Sequence, residues 1–207
     1  PPRSTLFPYT TLFRSLFIAG KSGSPAVVQL EAGTYRIDPG ESPESALVIQ
    51  SMRQVTLRGK GAKTKIIFTN PRMGGFFVAE SEEVWLENLS IDYDPIPFTQ
   101  GTVLLVNRKE GSFDLALEEG YPSLAEPWFA EAPKPYGQWG MIFDAKERRL
   151  KAGAPDFIFM DHWATVSGRV WRLFPVADQR DRLAKMAIGD RFVHMARHGK
   201  GGAAFFW

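Results

Sequence analysis

Two carboxylates stand close together in the stretch "SIDYDP", where Asp92 and Asp94 flank Tyr93. At a strand end, a rise of roughly 3.3 Å per residue would place both on one face, about 6.6 Å apart. Inverting glycosidases hold their carboxyl groups roughly 6.5–9.5 Å apart, and two close negative charges raise one pKa towards that of a general acid. The pair is therefore a catalytic candidate. A turn role is the alternative, because Asp is common before Pro in turns.

Aromatic side chains crowd a stretch rich in Pro and Gly that runs from Trp128 and Phe129 to Tyr136 and Trp139. Flat rings stack on the CH face of a sugar, while neighbouring polar groups bind its hydroxyls. Trp128, Tyr136 and Trp139 are therefore candidate substrate-binding residues. The alternative is that these rings only bury area where two parts of the chain meet.

Asp161 and His162 follow the apolar run "DFIFM" and form a second polar candidate. An imidazole beside a carboxylate at a strand end can titrate near neutral pH and contact a substrate. We include both residues as candidate substrate-binding groups. A surface histidine beside a turn aspartate is the alternative.

The sequence carries no recognisable metal, phosphate or serine-hydrolase motif. His194 and His198 are four residues apart in "HMARH", which lacks the acidic residue of the helical zinc motif. "GKGAK" and "GKGG" lack the P-loop spacing, and Gly-x-Ser-x-Gly does not occur. We predict no metal site and no cofactor.

The composition limits the possible partners. The chain has 207 residues, a formal net charge of +2 and no cysteine, so disulfides and thiolate chemistry are excluded. Basic residues are interspersed with acidic ones, which gives no electrostatic footprint for nucleic acid. No apolar run approaches the roughly 18 residues of a membrane span. We expect a globular protein that binds no nucleic acid and has no membrane span.

Short β-branched or aromatic runs, separated by Gly, Pro, Ser and Lys turns, begin at Ala26. A shift of 29 residues aligns four apolar positions with four others: Val48 with Phe77, Ile49 with Val78, Val55 with Val84, and Leu57 with Leu86. Within one strand, Val55 and Leu57 would face one side, and Thr56 and Arg58 the other.

Tandem strand–turn units without intervening helices predict the N-terminal coils of a right-handed parallel β-helix over residues 16–98. Each short strand can bury its inward side chains only against the next coil. A Greek-key sandwich is the alternative, but it favours Asn-Gly or Asp-Gly hairpin turns, and neither dipeptide occurs.

The pattern breaks at "PIPFTQG", residues 95–101. Strands joined by tight turns such as "KEGS" and "AKERR" predict an inserted small antiparallel β-barrel-like domain over residues 99–189. "ADQRDRLAKMA" is its one helix candidate. Residues 190–207 are predicted to return to the β-helix and to stop within an apolar run, as a truncated chain would.

Residues 1–15 have no persistent period, and back-translated in one unbroken frame they resemble a common short-read sequencing adapter. We exclude them from fold reasoning as an artefact. Any true N-terminus and targeting signal would then lie outside this sequence, so the sequence does not reveal the compartment.

"VVQLEAGTYRI", "QVTLRGKGAKTKIIFTNP" and "VWLENLSIDYDPIPFTQGTV" resemble the N-terminal coils of pectin lyase-like right-handed parallel β-helix proteins. The resemblance covers about Ala26–Val103 and the closing "GDRFVHMARHGKGG". The last turn, followed by an inserted barrel, is most similar to the β-helix glycoside hydrolases of the α-1,3-galactosidase type. In this superfamily the catalytic carboxylates generally lie on later coils, so the resemblance implies catalytic residues beyond Trp207 and an inactive fragment. It also implies an extracellular or periplasmic location.

Three functions follow from these observations, all with a polysaccharide or glycan as partner. The first is a glycoside hydrolase acting on galactose-containing glycans through paired carboxylates, without a cofactor. The second is a polysaccharide lyase, which abstracts the proton next to a uronate carboxylate, often with calcium. The third is a noncatalytic glycan-binding or adhesin-like β-helix that uses the aromatic stretch.

Overall fold

The computed structural model describes residues 18, 20, 24–38, 45–131, 136–147, 149–196 and 204–206. Strands form most of its regular structure, so the predicted all-β class is confirmed. The chain divides into two compact units, Pro1–Pro95 with Lys200–Trp207, and Ile96–Gly199. Each unit has its own hydrophobic core. The adapter-like residues 1–15 lie outside the described residues.

The described strands of the first unit form three parallel sheets. They are β1 (Ala26–Gln29), β2 (Gly33–Ile37), β3 (Ser45–Gln50), β4 (Arg53–Arg58), β5 (Thr64–Phe68), β6 (Gly74–Ala79), β7 (Glu82–Glu87), β8 (Ser90–Tyr93) and β15 (Ala204–Phe206). The sheet orders are β1–β4–β7, β2–β5–β8 and β3–β6–β15, and a 3₁₀ turn, Gly61–Lys63, precedes β5. All pairs of these strands are parallel, unlike the hairpins of a Greek-key sandwich.

The strand register confirms the predicted repeat. The four aligned pairs are cross-strand partners: Val48 with Phe77, Ile49 with Val78, Val55 with Val84, and Leu57 with Leu86. A side chain in one strand therefore lies beside the residue at the equivalent position, 29 residues later, in the neighbouring strand. This stacking explains why apolar residues recur at the same positions.

Side chains alternate across strand β4 as predicted. Val55 and Leu57 are buried in the core of the first unit, whereas Thr56 is half-buried and Arg58 is exposed. The core is made of apolar residues from all three sheets, and its largest fully buried side chains are Phe68, Phe76, Leu47, Ile49, Leu57 and Ile66.

The second unit is a closed six-stranded barrel. Its strands are β9 (Phe98–Asn107), β10 (Ser112–Leu117), β11 (Gln138–Phe143), β12 (Ile158–Ser167), β13 (Val170–Pro175) and β14 (Arg191–Met195). Neighbours in the order β10–β13–β12–β11–β14–β9 pair antiparallel. Inside the barrel, Phe113 packs edge-on against Phe192 at a centroid distance of 4.8 Å.

Three features of this unit differ from the sequence prediction. Strand β14 pairs with β9 and β11 and belongs to the barrel, whereas residues 190–207 were all expected to return to the β-helix. Its alternation, with Phe192 and His194 buried, directs these two side chains into the barrel. The helix candidate "ADQRDRLAKMA" forms a 3₁₀ helix, Ala177–Lys185, in which Gln179 and Leu183 are the buried residues. A short α-helix, Pro127–Ala130, lies in the aromatic stretch rich in Pro and Gly, for which the sequence predicts no helix.

Ionic contacts also join separate segments of the barrel unit. Arg172 on β13 binds Asp114 on β10 through two hydrogen bonds of 2.7 and 2.9 Å. The bonds to Asp114 raise the pKa of Arg172 above its usual value. Lys151 Nζ lies 2.6 Å from Oδ2 of the buried Asp190. These two pairings neutralise the charges of Asp114 and Asp190, which are buried away from water, where an unpaired charge is costly.

Candidate functional site

Four aromatic side chains come together on the outer surface of the barrel, and we call them the aromatic cluster: Tyr136, Trp139, Phe157 and Phe159. Trp139 on β11 and Phe159 on β12 are cross-strand partners. Their strand neighbours Gln138, Ile158 and Met160 are fully buried in the barrel. Because side chains alternate along a strand, Trp139 and Phe159 face outward.

The rings of the aromatic cluster meet edge to face. The centroid of Phe159 lies 5.5 Å from that of Tyr136 and 5.1 Å from that of Phe157, which lies 6.3 Å from that of Trp139. These are favoured separations and orientations for aromatic pairs. Tyr136 is 42% exposed and Phe157 38%. The cluster therefore fixes its rings against one another and still offers apolar area to a ligand.

The 3₁₀ helix places charged groups at the edge of the aromatic cluster. The guanidinium of Arg182 lies 5.4 Å from the ring centroid of Phe157 and donates to its carbonyl oxygen at 2.7 Å. The hydroxyl of Tyr136 donates to Asp178 Oδ1 at 3.0 Å, and this bond raises the pKa of the phenol. A positively charged group, Arg182, and a negatively charged group, Asp178, therefore border the rings.

Asp161 and His162 form a hydrogen-bonded pair on β12. His162 Nδ1 lies 2.8 Å from Asp161 Oδ2, and the imidazole stacks on Phe174 of β13 at a centroid distance of 4.3 Å. Both side chains are about half exposed, at 52% for His162 and 44% for Asp161. With Nδ1 held by the carboxylate, the Nε2 edge of the ring is the one left to contact a ligand.

The structure separates Trp128 from the other predicted binding residues. Its ring contacts Phe129, at a centroid distance of 6.3 Å, and packs against the barrel core. Its indole nitrogen is buried and has no hydrogen-bond partner among the described residues. Trp163 also packs against the barrel core, and its indole nitrogen donates to the carbonyl of Leu124 at 3.1 Å.

Asp92 and Asp94 lie in the first unit and make local contacts there. Asp92 Oδ1 accepts a 2.8 Å hydrogen bond from the backbone N–H of Tyr93. Asp94 pairs with Arg36 at 2.9 Å, and its side chain is 64% exposed. These contacts are those expected of turn and strand-end carboxylates. Catalysis by the pair stays a prediction.

His194 lies inside the barrel. Its Nε2 lies 2.7 Å from Gln138 Oε1, and the amide of Gln138 donates to the carbonyl of Phe129 at 2.6 Å. The ring of Phe129 stacks on that of His194 at 5.7 Å. His198 lies outside the described residues. Within the described part of the chain, no three His, Cys, Asp or Glu residues are grouped so that they could hold a metal ion.

Sequence reasoning missed half of the aromatic cluster. Phe157 and Phe159 alternate with Ile158 in "DFIFM", and that run was read only as a strand. The alternation of residues along this strand could have revealed them, since it puts the rings of Phe157 and Phe159 on the face opposite the buried Ile158. Arg182 and Asp178 had no such signal, because their position depends on how the 3₁₀ helix packs.

No protein-family model matches this chain, and no curated protein is found to match it. Among the described residues, none of the helices is both long enough and apolar enough to cross a membrane.

Proposed function

We propose that this protein binds a polysaccharide or glycan through the aromatic cluster on the outside of its barrel. The observation that carries the proposal is that four rings meet on the outer face of the barrel and remain partly exposed. The barrel interior is filled by other side chains, including Phe113, Phe129 and Phe192, so the outward rings are not needed to fill it. Rings of this kind stack on the CH face of a sugar, and Asp178, Arg182 and the Asp161–His162 pair supply polar partners for hydroxyls.

The scaffold that we propose for the first unit is a right-handed parallel β-helix of the pectin lyase-like type. Its support is the order in which the chain visits the three parallel sheets, first to third and then first again. The 29-residue repeat of paired apolar residues also supports it. Such a scaffold suits extended polymers, because stacked coils present a continuous surface.

Hydrolysis of galactose-containing glycans by paired carboxylates is the activity that we propose for a protein of this kind. Its support is the sequence resemblance together with Asp92 and Asp94 at the end of β8. Within this chain the candidates for that pair are Asp92 and Asp94, while the resemblance implies catalytic carboxylates beyond Trp207. If Asp92 and Asp94 are the catalytic pair, this chain alone cuts the glycans that it binds with release of reducing ends, and Asp92→Asn abolishes the cutting. A lyase would instead release unsaturated products. Binding by this chain without either product would exclude Asp92 and Asp94 as the catalytic pair, and it is also the result expected of a glycan-binding or adhesin-like protein.

The binding proposal is tested by measuring the retention of the protein in gels that contain single polysaccharides, with galactans first. We expect Trp139→Ala to weaken retention about five- to ten-fold, since losing one stacked ring costs roughly 1–1.4 kcal/mol. Trp139→Phe should keep part of the affinity. Val166→Ala is the matched control, because Val166 is 48% exposed on β12 but is not part of the aromatic cluster. Equal retention of wild type and Trp139→Ala on every retaining glycan would overturn the proposal.

A further inference from the structure

One connection of the barrel crosses an end of it. Strands β10 and β11 are three places apart in the ring of six, so they stand on opposite sides of the barrel. The chain between them, which leaves β10 at Leu117 and enters β11 at Gln138, therefore passes over the end of the barrel. In its described part, residues 118–131, Leu124 and Phe129 are fully buried in the barrel core. We call residues 118–131 the cross-barrel segment.

Three barrel strands hold the cross-barrel segment by side-chain hydrogen bonds to its backbone carbonyls. The bonds run from Thr99 on β9 to Pro122 at 2.6 Å, from Gln138 on β11 to Phe129 at 2.6 Å, and from Trp163 on β12 to Leu124 at 3.1 Å. Such bonds can break while the backbone ladder between the strands stays intact. A segment that is held in this way can open locally, at a lower free energy than unfolding of the whole unit.

His194 on β14 lies against the cross-barrel segment. Its side chain is fully buried, and its ring stacks on that of Phe129 at a centroid distance of 5.7 Å. The amide nitrogen of Gln138 donates to the Phe129 carbonyl, so the amide oxygen is the atom that faces His194 Nε2, at 2.7 Å. Because this oxygen can only accept, Nε2 carries the hydrogen in the neutral ring. A second proton would go to Nδ1 and give the ring a positive charge.

The surroundings of His194 disfavour that charge. Its ring is faced by side chains that carry no charge, namely Phe129, Gln138, Trp163 at 5.3 Å and Phe192 at 6.4 Å. The titratable groups on the same elements are exposed or half-buried: Glu126, Glu131, Asp161, His162 and Arg191. Strand β9, which also pairs with β14, has no titratable residue. Aromatic rings attract a cation, but by less than it costs to remove a charged group from water. The closed barrel therefore holds His194 neutral.

We propose that the cross-barrel segment is a closure that opens in acid, with His194 as its trigger. When the segment leaves, the ring loses Phe129 and gains contact with water, so the open form takes up a proton that the closed form excludes. An exposed histidine has a pKa of roughly 6.5, so acid favours the open form below this pH and has no effect through His194 above it. Opening exposes Leu124, Phe129 and the end of the barrel core. None of this depends on glycan binding by the aromatic cluster, so the two proposals stand or fail separately.

The test is native-state hydrogen exchange of the ¹⁵N-labelled protein, followed by NMR from about pH 7.5 to about pH 5. The exchange rate of an N–H divided by its unprotected rate at the same pH gives the opening constant. The indole N–H of Trp163, which donates to Leu124, reports opening of the segment. The amide of Val103, which donates to Asp190, reports opening of the barrel itself. We expect the constant at Trp163 to rise about eight-fold between pH 6 and pH 5, as uptake of one proton requires, and that at Val103 to stay smaller.

Two variants assign the effect to His194. His194→Gln keeps an amide that can donate to Gln138 but takes up no proton, so its opening constant at Trp163 should not rise in acid. His162→Gln is the matched control, because it removes a half-exposed histidine of β12 and should behave like wild type. In the wild type, the ring signals of His194 should show protonation only to the extent that the segment opens, which gives a check that needs no variant.

An opening constant at Trp163 that does not change with pH would overturn the proposal. So would the full wild-type rise in His194→Gln, equal constants at Trp163 and Val103, or a protonated His194 beneath a segment that stays closed.

Discussion

Tyr136 shows how a single contact at the aromatic cluster is open to measurement. Its hydroxyl donates to Asp178, and this bond is the main reason that the pKa of Tyr136 lies above its usual value near 10. Because the folded-state pKa is the higher one, the stabilising contribution is complete below the unfolded pKa and is lost as the pH rises through the folded pKa. We expect Asp178→Ala to return the phenol pKa towards 10.

Ultraviolet titration of the phenolate measures this pKa. The difference between wild type and Tyr136→Phe isolates Tyr136 from the other four of the five tyrosines in the chain. Asp161→Ala serves as the control, since it removes an acidic side chain of β12 whose hydrogen-bond partner is His162. An unchanged Tyr136 pKa in Asp178→Ala would show that the hydrogen bond is not its cause.

The sequence can point to a single site residue where the residue types beside it along the chain determine what surrounds it. Tyr136, Trp139 and the Asp161–His162 pair are candidates from residue type and neighbours alone. Tyr136 and Trp139 do come together with Phe157 and Phe159 in the aromatic cluster, and Asp161 and His162 are hydrogen-bonded to each other on β12. Trp128 was grouped with them by sequence distance, yet its ring packs against the barrel core. Arg36 as the partner of Asp94 had no sequence signal, because 58 residues separate them.

Gly59 is a point where the packing of one strand repeat on the next can be tested. Its N–H donates to the carbonyl of Glu87 at 3.0 Å, so the segments that follow β4 and β7 are in direct backbone contact. A Cβ at this position would lie 2.8 Å from Thr64 Cβ and 2.9 Å from Leu89 Cβ. We expect Gly59→Ala to lower the free energy of unfolding by roughly 1–3 kcal/mol, as overpacking does.

Gly33→Ala is the control for this change. A Cβ there would meet nothing closer than a ring carbon of Tyr35 at 3.9 Å. We expect a change within about 1 kcal/mol, with slight stabilisation favoured because alanine restricts the unfolded chain. Urea unfolding of both variants gives the comparison. Equal losses of stability for the two alanine variants would mean that the close approach of neighbouring segments does not limit residue size at Gly59.

At the level of elements, the repeat was predictable because parallel pairing places each residue beside the equivalent residue of the next repeat. Val55 and Val84 are paired in this way, and residues of the same kind therefore recur 29 positions apart in the sequence. Antiparallel pairing in the barrel has no such signature. The alternation of Phe192 and His194 in β14 suits either a coil or a barrel strand, and only the pairing of β14 with β9 and β11 decides between them.

For the whole molecule, the two units differ in how their sheets end. The barrel is closed, so each of its six strands has a neighbour on both sides. In the first unit, β7 and β8 each have one pairing neighbour among the described strands. Unpaired strand edges promote association between chains, and closure removes them. The barrel therefore meets the physical conditions for independent folding.

We expect residues 96–199, produced alone, to form a monomer with a β-type circular dichroism spectrum and one cooperative thermal transition. The closed sheet and a separate core, with Phe113, Phe129 and Phe192 fully buried, are the reason. Phe192→Ala should destabilise this unit by about 3–5 kcal/mol and lower its transition temperature, which checks that the transition reports barrel packing. Val166→Ala, an exposed change, should leave the transition almost unchanged. If residues 96–199 aggregate or melt without cooperativity while the full chain does not, the barrel needs the rest of the chain to fold.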